Sequence, residues 1–176
     1  MAAGASHRHV DADGVSLFVR RHGAGWRAVV FWHGLGALAT GDAVQAAAPL
    51  LCERLDASVY ALDAPGFGRS QPPLPPERPG GRRCSPRQPG GVASEPPRLV
   101  WADIDRAGVP VLLLSAGEPR GDAERIRQVA AFRTALPHAA VREVARAGHD
   151  VLADGGTQLV ATIADWVLAT PRAPTA

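Results

Sequence analysis

Nine of the 16 prolines in this 176-residue chain fall between residues 72 and 98, together with two Gly-Gly pairs and five arginines. Proline has no N–H to donate and fixes its own φ, so a segment this rich in it holds neither a helix nor the interior of a sheet. The segment lacks apolar periodicity, and a structureless connection of 27 residues is uncommon inside a compact domain. It is expected to be disordered or an irregular surface loop. It divides the chain into two stretches with globular patterning, residues 10–71 and 99–170, and whatever fold the chain adopts must be assembled from those flanks.

The first stretch alternates strand and helix patterns. Val15, Leu17 and Val19 alternate with Ser16, Phe18 and Arg20, as in a strand with one face more buried, behind the turn signal Asp13-Gly14. The apolar run 28–32 predicts a buried strand that ends in His33-Gly34. Val44, Ala47, Ala48, Leu51 and Leu55 recur at helical spacing, and Pro49 suits the first turn of that helix, where its missing N–H costs little. Residues 59–62 predict a second buried strand, closed by Asp63-Ala64-Pro65-Gly66.

The second stretch repeats the alternation. Residues 109–114 predict a buried strand, and Asp122 can cap a helix whose apolar face includes Ile126, Val129, Ala130 and Leu136. Residues 140–144 predict a strand leading into Ala147-Gly148-His149-Asp150. Leu159, Val160, Ile163, Trp166 and Val167 predict a closing helix, with Asp154 or Thr157 as its cap. Strands alternating with helices argue for an α/β fold, a parallel sheet flanked by helices.

Composition narrows the function classes. A hydrophobic content of 46% supports one domain with a core. The formal net charge of +2 argues against a polybasic nucleic-acid binder, although all 19 basic residues are arginine. Cys52 and Cys84 have no CxxC or zinc-ligand spacing, so free thiols and no metal are expected. No run approaches the ~18 consecutive apolar residues of a membrane span, and no apolar run follows a basic N-terminus. The expectation is a soluble cytoplasmic protein without a cofactor.

Three motifs could carry chemistry. His33-Gly34-Leu35-Gly36 ends a strand, and a glycine-rich turn there presents backbone N–H groups at the carboxyl edge of the sheet, where they could stabilise an oxyanion. The Leu35 N–H is the first candidate donor, with Gly36 behind it. The same residues, extended to Ala39, also match the dinucleotide pattern GxGxxA, with Asp63 placed where a ribose-binding acid would sit. The second motif is Asp63-Ala64-Pro65-Gly66-Phe67-Gly68-Arg69-Ser70, and the third is Gly148-His149-Asp150 between a strand and the closing helix.

In this order, and around the helix that holds Ala48-Pro49-Leu50-Leu51, these motifs resemble the α/β-hydrolase family, of the esterase or lipase type. The resemblance covers roughly residues 10–71 and 99–168. It implies that Asp63–Ser70 is a structural turn and that His33, Gly34, Leu35 and Gly36 shape the oxyanion and binding region. It implies that His149 is the general base of an acyl-transfer triad, a role that suits an imidazole near neutrality. The family's acid follows the strand at 109–114, commonly in a G-x-x-D turn. Here that turn reads Gly117-Glu118-Pro119-Arg120, which leaves Asp122 or Glu118 as the acid, against a plain helix N-cap for Asp122 and a solvated loop charge for Glu118.

The departure from the family is the nucleophile. The G-x-S-x-G elbow that the family places on a strand-to-helix turn does not occur in this sequence. Ser70 belongs to the earlier turn, Ser85, Ser94 and Cys84 lie in the proline-rich segment, and Ser115 ends the acid strand. No nucleophile is identified. The elbow, the strand after it and the cap have no counterpart in residues 72–98, so the fold is expected to be internally truncated at the centre of its sheet, with apolar surface exposed there. A deletion or frame error explains this, and so does a small protein that pairs its halves differently, as in a swapped dimer. The expected function is hydrolysis of an ester or other small-molecule acyl substrate, inactive or very weak as the chain stands. The alternatives are a non-catalytic small-molecule-binding remnant and a dinucleotide-binding Rossmann-like domain.

Overall fold

The computed structural model describes residues 5–12, 15–32, 44–70, 104–118, 120–148 and 150–171. Its strands are β1 (Ser6–Ala12), β2 (Val15–His22), β3 (Arg27–Trp32), β4 (Ala57–Leu62), β5 (Leu112–Ala116) and β6 (Ala140–Val144). Its helices are α1 (Ala48–Leu55), α2 (Ala123–Ala135) and α3 (Val151–Ala169). Residues 104–107 add a single helical turn.

The strands form two sheets. The first has the order β1-β2-β4-β3, and the second pairs β5 with β6. The expected parallel pairing holds for β3 with β4 and for β5 with β6, while β1 and β2 join antiparallel. Strand β1 was not foreseen, because Ser6-His7-Arg8-His9 is polar, and only its pairing partner β2 makes it a strand. It ends at Ala12 opposite Val15, and the expected turn at Asp13-Gly14 lies outside the described residues.

The core lies on one side of the first sheet. Val44, Ala47, Ala48, Leu51 and Leu55 pack with Val59 and Ala61 of β4 and with Leu159, Val160, Ile163 and Ala164 of α3. Pro49 sits at the start of α1, as its missing N–H requires. Helix α3 packs against α1 and also against β5 and β6, and so ties the second sheet to the first. It is broken at Gly156, whose φ of 50° and ψ of −143° are not helical.

Three expectations need correction. Strand β3 is not buried on both faces: Val29 and Phe31 turn to the core, whereas Val30 is 62% and Trp32 53% exposed. Burial of the second face needs a covering layer, and none of the described helices supplies one there. Helix α2 has Asp122 as its N-cap but no buried residue, and Ile126 is exposed. Of its expected apolar face only Leu136, just past the last turn, is buried. The acid strand begins at Leu112 rather than at Val109, which is exposed. No helix among the described residues is long and apolar enough to cross a membrane.

Candidate functional site

Strand β4 delivers the chain into the turn that follows Leu62, and hydrogen bonds fix that turn. The Asp63 side chain is fully buried and meets the Arg20 guanidinium at 3.0 Å. Its second oxygen accepts the Arg69 N–H at 3.0 Å. Ser70 Oγ donates to the Asp63 carbonyl at 2.6 Å and accepts the Phe18 N–H at 2.8 Å. Gly68 has φ of 53°, and a Cβ there would stand 2.2 Å from an Asp63 carboxylate oxygen, so only glycine lets the turn close on the acid. Phe18, buried beneath, carries the guanidinium groups of Arg20 and Arg69 at 4.8 and 4.7 Å from its ring centre.

These bonds decide two questions. Ser70 is buried with its hydroxyl already engaged as donor and acceptor, which is the part of a structural tie and not of an exposed nucleophile. Asp63 faces Arg20 in the interior, so it is not displayed for the ribose of a dinucleotide. Arg20, which strand alternation paired with the more polar residues of β2, is 6% exposed and was missed as the partner of Asp63. Only the register of β2 against β4, which pairs Arg20 with Ala61, brings the two together.

The loops after β5 and β6 are joined to each other. The Gly117 N–H donates to the Val144 carbonyl at 3.0 Å and the Glu118 N–H to the Ala147 carbonyl at 2.9 Å, extending the β5–β6 ladder. A Cβ at Gly117 would stand 2.7 Å from the Val144 oxygen, which explains the glycine. The loop that carries Gly148 is anchored by a hydrogen bond from its N–H to the Asp154 carboxylate at 2.7 Å. Asp154 is therefore not the helix cap that the sequence suggested. Asp150 caps α3 through the Ala153 N–H at 3.1 Å. The bond from Asp154 crosses back over the helix start, and spacing alone gave no sign of it.

The two candidate acids occupy different surroundings. Asp122 Oδ1 accepts the N–H groups of Glu124 at 2.9 Å and Arg125 at 3.1 Å. Glu118 accepts the Arg120 N–H at 3.2 Å, and its side chain is 41% exposed. His149, His33, Gly34, Leu35 and Gly36 lie outside the described residues, as do Ser85, Ser94 and Cys84. Among the described residues no group of His, Cys, Asp or Glu side chains is placed to hold a metal ion. Cys52 is a free thiol, and burial pushes its pKa up.

The first sheet carries two antiparallel strands ahead of a parallel pair, in the order β1-β2-β4-β3. The turn after β4 is locked by Asp63 and Ser70, and the closing helix packs on the same side of the sheet as α1. No family model matches the sequence, and no curated protein matches it. Solved structures do. A predicted CIB-like hydrolase from Thermoplasma acidophilum superposes with a TM-score of 0.58 at 15% identity, over 93% of this chain and 98% of that one. The thioesterase domain from the curacin biosynthetic pathway superposes with a TM-score of 0.55 at 12% identity, over 96% of this chain and 100% of that one. The chain has the α/β-hydrolase fold. A further match, to the Cif epoxide hydrolase from Acinetobacter nosocomialis, has 32% identity and a TM-score of 0.36 over 42% of this chain and 22% of that one. In the α/β-hydrolase fold seen here, the turns after β4, β5 and β6 all leave the carboxyl ends of parallel strands, the edge at which open α/β sheets bind ligands.

Proposed function

We propose that this protein binds small acyl substrates, ester-like in chemistry, at the carboxyl edge of its sheet, and that it turns them over very weakly. In this reading His149 is the base and the N–H groups of Leu35 and Gly36 are the oxyanion donors. Glu118 is the acid preferred over Asp122, because its own N–H is bonded into the loop that leads to Gly148, whereas Asp122 caps the start of α2; the Glu118 carboxylate itself meets Arg120. The observation that carries the weak turnover is the engagement of Ser70. The one serine set in a turn that resembles half an elbow has both hydrogen-bonding roles filled inside the fold. A serine-directed fluorophosphonate probe is expected to leave the folded protein unlabelled, and stoichiometric labelling at Ser70 or Ser85 would overturn the reading.

The same engagement favours a second reading, a non-catalytic binder that uses the same crevice. A saturable rise in melting temperature with a short-chain ester, without hydrolysis, would support it. Both readings treat residues 72–98 as standing where the elbow block belongs. The separation of β3 from β5 into different sheets supports that placement. The coding DNA across residues 71–99, translated in all three frames, tests the origin. An out-of-frame G-x-S-x-G between a strand and a helix identifies a frame error, and its absence favours a deletion.

A further inference from the structure

On the face of the first sheet opposite α1, the strand register builds two successive rows. Ser6 pairs with Arg21 and Arg21 with Tyr60, while Arg8 pairs with Val19 and Val19 with Leu62. Paired residues share a face, so the two arginines stand diagonally across the β1–β2 boundary on one side of the sheet. Between them lies a cleft of about 170 Å³, lined by Ser6, His7, Arg8, Val19, Arg21 and Tyr60. That is well above the ~10–15 Å³ a single water needs.

Among the described residues the lining contains no carboxylate, and neither Arg8 nor Arg21 has a carboxylate partner. Arg21 is nonetheless held in place. Its Nη2 donates to Ser58 Oγ at 3.0 Å, Ser58 Oγ donates to the Gly25 carbonyl at 2.8 Å, and its guanidinium lies 5.9 Å from the Tyr60 ring centre. One fixed guanidinium, a second on the exposed edge strand and a serine hydroxyl make a cationic, donor-rich cleft over the buried side chain of Val19, while the ring of His7, which pairs with Arg20 and meets Phe18, lies on the other face. Guanidinium donors suit oxyanions because their fork matches two oxygens at once.

We propose that this cleft binds a small molecule through a phosphate or sulfate group, at a site separate from the carboxyl-edge crevice. Inorganic phosphate, titrated into the full-length 15N-labelled protein at constant ionic strength, is expected to give saturable shifts at Ser6, Arg8, Arg21 and Tyr60. Sulfate is expected to compete with it. Arg21→Gln and Arg8→Gln should each weaken binding about tenfold, the effect of one lost charge-assisted hydrogen bond. Arg142→Gln, an exposed arginine on β6, should leave it unchanged. Arg8→Gln keeps the test readable if Arg21→Gln disturbs Ser58. Shifts that rise linearly without saturating, or that weaken equally in Arg142→Gln, would overturn the proposal. So would shifts seen only with a duplex oligonucleotide, which would make the surface a polyanion contact instead.

Discussion

The carboxylate of Asp63 and the guanidinium of Arg20 form a salt bridge 3.0 Å long, with side chains 0% and 7% exposed. Breaking such a pair by removing one partner leaves a charge stranded in the interior, which costs roughly 3–5 kcal/mol. Asp63→Ala is expected to lose about that much in a urea titration, a large share of the ~5–15 kcal/mol that holds a typical domain together. A cost near zero would show that the turn does not depend on the pair.

Gly68→Ala acts on the same turn from the other side. The added methyl meets the Asp63 carboxylate, and alanine at positive φ is strained. A loss of more than about 1 kcal/mol is expected in thermal unfolding, and a stabilised variant would contradict the geometry.

Burial pushes the His22 imidazole below its ordinary pKa of 6.5, and the nearby charge of Arg20 adds to the effect. Its Nε2 is buried and lacks a hydrogen-bond partner among the described residues. The folded state therefore binds this proton more weakly than the unfolded chain does. The His22 contribution to stability is complete above pH 6.5 and is lost as pH falls from there through the lower folded pKa. Urea midpoints measured across that window should fall on acidification in the native protein and fall less steeply in His22→Leu. Equal slopes would remove His22 as the source.

The two candidate acids separate by what each variant moves. Asp122→Ala should cost about 1 kcal/mol through loss of the α2 cap and leave the titration of His149 alone. On the proposed assignment, Glu118→Gln should lower the His149 pKa, followed by NMR, because a carboxylate acting as the acid favours the charged imidazole. A His149 titration that shifts with Asp122→Ala and not with Glu118→Gln would reverse the assignment.

The one-sided core makes a contrast on adjacent strands. Val59 is fully buried and Val30 is mostly exposed. Val59→Ala is expected to cost roughly 2 kcal/mol and Val30→Ala less than about 0.5 kcal/mol. Equal losses would mean that something covers the second face of β3.

The parts of this fold that were legible in the sequence are those set by local pattern. Apolar periodicity located α1, β4, β6 and the core residues of α3, while the structural part of the Asp63–Ser70 turn came from the family resemblance. What escaped were relationships between segments distant in the chain. Strand β1 is too polar to read as a strand without β2 beside it. Arg20 has no local reason to be buried, and its reason lies 43 positions away. The exposed face of β3 was unforeseen for a related cause. An apolar run shows that a strand can be buried on both sides, whereas a second covering layer is a property of the whole chain. Among the site residues, Asp122 could be read from its position before the helix, but the bonds from Glu118 to Ala147 and from Asp154 to Gly148 depend on how two loops meet.

Helix α3 has a consequence for the order of events during synthesis. Leu159, Val160, Ile163 and Ala164 complete a core begun about a hundred residues earlier by α1 and β4, and the same helix joins the second sheet to the first. Contacts this far apart in the chain close slowly, since a long loop must be ordered before they form. On a translating ribosome the apolar face of α1 and β4 would stay open until residue 164 had emerged. Until then the nascent chain is open to aggregation and to chaperone capture through that face.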